Sequence, residues 1–89
     1  LQLPAGSTIN ADINADLAWD IAYAPGTVLT PKTVAVIDSG ADTTHPDLIG
    51  NLVPGWDAVA SSSIVTDPDG HGTACAGIIG AVGNNAIGI

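Results

Sequence analysis

From Thr33 to Ile37 the chain reads Thr-Val-Ala-Val-Ile, an apolar run with no polar alternation. Its residues are mostly β-branched, so the run predicts a strand covered on both faces, as in a parallel sheet. Asp38 stops the run and Ser39-Gly40 turns the chain. Upstream, residues 9–24 carry a different period. Ile13, Leu17 and Ile21 recur every fourth position and Ala18 widens the stripe, which predicts an amphipathic helix. Asn10 or Asp12 can cap its start. Trp19 and Tyr23 form a further i,i+4 pair at its margin, while Asp16 and Asp20 belong to a solvated face. Pro25-Gly26 ends it.

Beyond Asp38, His45-Pro46-Asp47-Leu48 reads as one turn of helix or 3₁₀ with Pro near its start. Residues 52–56 suggest a second strand, which Pro54-Gly55 restricts to an edge or a bulge. Residues 57–69 form a loop rich in Ala, Ser and Asp. Its Asp57, Asp67 and Asp69 read as solvated loop residues, with a second cation site as the alternative. The next helix is predicted over residues 70–82, with His71 in its first turn and Asp69 placed to cap it. Gly72, Ala74, Ala76, Gly77, Gly80 and Ala81 leave it little bulk. Each interior Gly costs about 1 kcal/mol relative to Ala, which is explicable if the helix lies very close to the sheet or to another helix, a buried position that would hold His71 still. Gly83-Asn84-Asn85 stops it.

Chemistry enters with two of these segments taken together. A carboxylate just past the carboxyl end of a buried strand sits where α/β folds collect functional groups. Asp69-Gly70-His71-Gly72-Thr73 adds a histidine in a glycine-marked motif. An Asp followed by a His in this order is the opening of an Asp…His…Ser triad. In such a triad the carboxylate accepts the imidazole Nδ1–H and fixes the tautomer, and the imidazole takes the proton from a serine hydroxyl.

These residues resemble the N-terminal third of a subtilisin-like serine protease. The resemblance is carried by residues 34–48 (VAVIDSGADTTHPDL), 69–77 (DGHGTACAG) and 84–89 (NNAIGI). It implies an α/β fold, the N-terminal portion of a three-layer architecture with a mainly parallel sheet, incomplete in this chain. Residues 1–89 then belong to a single catalytic domain. It further implies Asp38 and His71 as two catalytic residues, acting on a protein or peptide substrate. None of Ser39, Ser61, Ser62 or Ser63 has the family's nucleophile context. The serine and the oxyanion hole are therefore expected from a second polypeptide or from a C-terminal remainder, and the chain alone is expected to be inactive. His45 corresponds to a non-catalytic histidine of the family signature. Cys75, four residues from His71, allows a Cys–His dyad to be imagined. In the thermitase and proteinase K branches a cysteine occupies this position as a small packing residue beside the catalytic histidine. Ala74 departs from the His that many relatives carry.

The resemblance also implies structural calcium, which takes about six to eight oxygen ligands. Asp47 and Asn85 would supply side-chain oxygens, and Val82, Ile87 and Ile89 carbonyls. A further ligand from the N-terminal arm would be Gln2, Asp12 or neither.

Composition narrows the rivals. The chain has 89 residues with no Phe or Met, two Trp and one Tyr, and Cys75 is its only cysteine. Small independent domains lean on large side chains, disulfides or metals, so these residues are expected to form part of a larger core. The net charge is −8, with Lys32 the only basic side chain. That disfavours nucleic acid and anionic membranes as partners and suits a secreted, extracellular protein. No apolar run approaches the ~20 residues of a membrane span. No leader-like segment opens the chain, so any signal or pro-segment is expected to have been removed or never present. Two other classes remain: a catalytically silent subtilisin-like binding module, and an Asp-rich calcium-binding structural fragment.

Overall fold

The structure is a computed structural model and describes residues 13–88. Two compact units divide it, Leu1–Thr33 and Val34–Ile89. Among the described residues the regular elements are two helices, α1 (Ala15–Ala22) and α2 (His71–Gly80).

In the first unit, α1 is shorter than the pattern predicts. It starts after Asn14, whose left-handed backbone (φ 51°, ψ 43°) makes no side-chain cap. Asn10 and Asp12, the expected caps, lie outside the described residues, as do Gln2 and the arm around it. The Ala18 amide donates to the Asn14 carbonyl at 3.1 Å. At the other end the Thr27 amide donates to the Ala24 carbonyl at 3.0 Å, closing a turn over Pro25-Gly26 as expected. Leu17 and Ile21, the predicted buried stripe, are both exposed, and α1 buries no residue.

The second unit holds the only buried side chains among the described residues: Asp47, Leu48 and Ala76. His45-Pro46-Asp47-Leu48 turns as expected. The amides of Leu48 and Ile49 both donate to the His45 carbonyl at 3.0 Å, and this turn carries Asp47 and Leu48 inward. The chain after α2 returns to the turn, where the Val82 amide donates to the Asp47 carbonyl at 2.8 Å.

The sheet expected from the sequence is not seen among the described residues. Residues 33–37 and 52–56 adopt no strand, and Val34, Val36 and Ile37 are exposed. The reason is physical: a strand is a set of hydrogen bonds to a neighbour, and no neighbouring strand exists among the described residues. Among the described residues the one β pairing is an isolated antiparallel bridge between Asp57 and Ser62.

α2 matches its prediction within two residues at its C-terminal end. Its small residues admit a close approach at its head. A Cβ on the buried Gly72 would collide with the carbonyl oxygen of Gly40, in the turn after Asp38. Gly40 itself has φ 136° and its own Cβ would meet the Thr66 carbonyl. Two backbones therefore touch where side chains would hold them apart.

Candidate active site

That contact brings the two motifs together. The His71 Nδ1 lies 2.7 Å from Asp38 Oδ1. An ionised carboxylate only accepts, so Nδ1 carries the proton and Nε2 keeps its lone pair. The same Asp38 oxygen accepts the Ser39 amide at 2.7 Å. The His71 side chain is 67% exposed and that of Asp38 is 20% exposed. The imidazole is thus reachable from solvent, contrary to a fully buried position, while its partner is sheltered.

The electrostatics follow from that contact. The hydrogen bond from His71, reinforced by the Ser39 amide, lowers the Asp38 pKa below the usual carboxylate value. The hydrogen bond to Asp38 and then the charge of Asp38 raise the His71 pKa, with Asp69 and Asp67 adding smaller pulls in the same direction. Cys75 Sγ sits 3.7 Å from His71 Nδ1 and 3.9 Å from Nε2. Partial burial, then the nearby Asp38 charge, pushes its thiol pKa up. A neutral thiol is a poor nucleophile, so the geometry of a Cys–His dyad comes without its chemistry.

The head of α2 is held from outside. Its N-cap, Gly70, has no side chain to offer, yet the first amides of a helix need acceptors. Asp69, the expected cap, does not supply one. Asp67 does: its Oδ2 accepts the Thr73 amide at 2.8 Å and the Thr73 hydroxyl at 2.6 Å. Its Oδ1 accepts the Gly70 amide at 2.9 Å and the Ser39 hydroxyl at 2.8 Å. The Ser39 oxygen in turn accepts the Gly72 amide at 3.0 Å. Thr73, then Ser39 and Gly70, hold the Asp67 carboxyl well below the usual carboxylate range. The sequence reading missed this group. The available signal was a helix start with no capping side chain at Gly70 and an Asp three residues before it. Asp57 likewise serves its own turn, accepting the amides of Val59 and Ala60 at 2.9 Å each.

Four of the expected calcium ligands, Asp47, Val82, Asn85 and Ile87, are linked by hydrogen bonds within the same unit. Asp47 is 3% exposed. Its Oδ1 accepts the Asn85 Nδ2–H at 2.8 Å, and the Asn85 oxygen accepts the Ile87 amide at 3.0 Å. Val82 joins through its amide to the Asp47 carbonyl. A Cβ on Gly88 would collide with Asp47 Oδ2. Ile89 lies outside the described residues. A carboxylate, an amide and peptide carbonyls are the hard oxygen donors that calcium takes, so the residues fit in kind. In this arrangement Asn85 turns its NH₂ to the carboxylate, and it would have to present its oxygen there to act as a ligand. His45 serves the Asp47 turn, where its Nδ1 accepts the Asp47 amide at 3.2 Å.

Comparison with known proteins agrees with the motifs. The chain is 47% identical to thermitase of Thermoactinomyces vulgaris over 77 residues, covering 86% of this chain and 26% of that protein. It is 42% identical to the Aeromonas extracellular serine protease of Aeromonas sobria over 87 residues, 93% of this chain and 13% of the other. It is 37% identical to a calcium-dependent protease of Trichormus variabilis over 83 residues, 89% of this chain and 12% of the other. The chain thus spans about a quarter or less of these relatives. No solved structure matches it. The family model described as the subtilase family matches residues 30–89, the whole stretch that carries Asp38, His71 and Asp47, and the chain belongs to the subtilase family.

Proposed function

We propose that this chain is the Asp–His portion of a subtilisin-like serine endopeptidase. The carrying observation is the 2.7 Å hydrogen bond from His71 Nδ1–H to Asp38, which leaves Nε2 on a solvent-exposed ring. In this reading Asp38 fixes the tautomer and stabilises the imidazolium, and His71 Nε2 takes the proton of a serine hydroxyl and returns it to the leaving amine. The serine and the oxyanion hole come from a second polypeptide or a C-terminal remainder. That partner also supplies the strands on which residues 33–37 complete a mainly parallel sheet. The substrate is a protein or peptide, and the setting is extracellular, in keeping with a net charge of −8 and a relative that is itself named extracellular.

Calcium belongs to the same proposal. Asp47 and Asn85, with carbonyls of Val82, Ile87 and Ile89, would hold the ion. Bound there, it would neutralise a buried carboxylate and tie the chain after α2 to the 45–51 turn. A relative named a calcium-dependent protease supports calcium as the ion.

A serine-directed phosphonate tests the reading. In the assembled enzyme it should label a serine outside residues 1–89 and abolish peptide hydrolysis, and residues 1–89 alone should neither hydrolyse peptides nor take label. Label on Ser39 or on Ser61, Ser62 or Ser63, or activity in the isolated chain, would overturn it.

A further inference from the structure

One carboxylate holds both segments of the Asp38–His71 pair. Asp67 binds the Asp38 loop through the Ser39 hydroxyl, and it binds the head of α2 through Gly70, Thr73 and the Thr73 hydroxyl. Ser39 closes the circuit: its hydroxyl oxygen accepts the Gly72 amide, and its own amide donates to the Asp38 oxygen that His71 uses. The Thr73 hydroxyl oxygen also accepts the Asp42 amide at 2.8 Å, a second stitch from the Asp38 loop to α2. His71 and Asp38 approach from different segments; the Gly40–Gly72 contact lets the backbones meet, and these hydrogen bonds hold them there. Asp38 is exposed as a residue, and the ring of His71 is mostly in solvent.

From this circuit we infer that Asp67 is a positioning residue for the reaction proposed above, acting through Ser39 and Thr73 to hold the Asp38–His71 hydrogen bond in register. The inference rests on that reading for its effect on turnover, but its structural content is independent of it. A displacement of about 1 Å at a reacting group can cost on the order of 10²-fold in rate. Loss of the clamp should therefore appear in kcat, with KM little changed.

Two variants of the assembled enzyme separate positioning from mere charge. Asp67→Asn removes the acceptor and also a negative charge near His71. Ser39→Ala removes the link to Asp67 and Gly72 but changes no charge and keeps the amide that serves Asp38. The charged and titratable groups facing His71 are Asp38, Asp67, Asp69 and Cys75, so a charge effect alone would move the His71 pKa in Asp67→Asn and not in Ser39→Ala.

We expect both variants to lower kcat, Asp67→Asn by roughly 10- to 100-fold and Ser39→Ala by roughly 10-fold, with KM within about threefold. NMR of ¹⁵N-labelled histidine should show the His71 pKa falling toward its ordinary value in both, with faster solvent exchange of the Nδ1 proton. The double variant should cost little more than Asp67→Asn alone, because both sit in one network. An unmoved His71 pKa and unmoved kcat in folded Ser39→Ala overturns the inference, even if Asp67→Asn fails to fold. A His71→Ala enzyme with near-normal turnover would instead sink the proposed function, and the NMR result would still decide the positioning role.

Discussion

Asp38 and Asp47 occupy the same compact unit and meet opposite fates. Asp38 pairs with an imidazole that stands 67% in solvent. Asp47 is 3% exposed and is held by a neutral amide and a backbone turn. A group that must exchange protons with a substrate has to be reachable, whereas a carboxylate that ties two chain segments together gains from exclusion of water. The same side chain thus reads as chemistry at one site and as construction at the other, and its surroundings make the difference.

The largest test of that contrast is at the Asp38–His71 pair. His71→Ala or Asp38→Asn should reduce kcat of the assembled enzyme by roughly 10⁴ to 10⁶, the range known for triads of the subtilisin type. Asp38→Asn should keep the calcium response of the melting temperature. A variant that lost both would show that the two sites are not separate.

The buried carboxylate supplies the second test. A ligand bound only by the folded state stabilises it by about 2.7 kcal/mol at a hundredfold excess over Kd. Chelation should lower the melting temperature of the assembly, and Asp47→Ala should remove most of that response. A melting curve indifferent to chelator would leave Asp47 with a purely protein-internal role.

pH gives the third. In the proposed reaction His71 has to be neutral to accept a proton, and Asp38 raises its pKa above the ordinary 6.5. Activity should therefore fall about tenfold per pH unit below that raised value. Its acid limb should sit above 6.5 in the native enzyme, and NMR titration of folded Asp38→Asn should find the His71 pKa lower. Stability runs the other way. The contribution of the protonated pair is full below the unfolded value and fades as pH rises through the folded one. An acid limb below 6.5 in the native enzyme would contradict the hydrogen bond.

The smallest effect belongs to Cys75. Cys75→Ala should leave kcat within about threefold, since a thiol with a raised pKa is not an activated nucleophile. Mercurials should inhibit the parent through this thiol, 3.7 Å from His71 Nδ1, and should not inhibit the variant. A folded but inactive Cys75→Ala enzyme would make the thiol a participant.

The polar motifs were legible in the chain and the apolar ones only half so. Asp38 and His71 each sit in a glycine-marked motif, and Gly40 and Gly72 are the residues that let the two segments touch. The apolar run at 33–37 and the stripe of Leu17 and Ile21 state which surfaces call for cover, but not what covers them, and here they are exposed. Asp67 escaped for another reason. It caps a helix from three residues before the cap position, a faint local signal, and its reach to Ser39 far along the chain leaves no mark in the spacing.

For anyone redesigning this chain, the contact between Gly72 and Gly40 divides the glycines of α2 into two kinds. At Gly72 a single added methyl would meet the Gly40 carbonyl and separate the segments that carry His71 and Asp38. At Gly80, in the last turn of the same helix, a methyl would meet nothing within 4 Å. Alanine there gains up to about 1 kcal/mol of helix propensity at no steric cost. A thermostabilising library built on helix propensity should therefore sample Gly80 and leave Gly72 fixed.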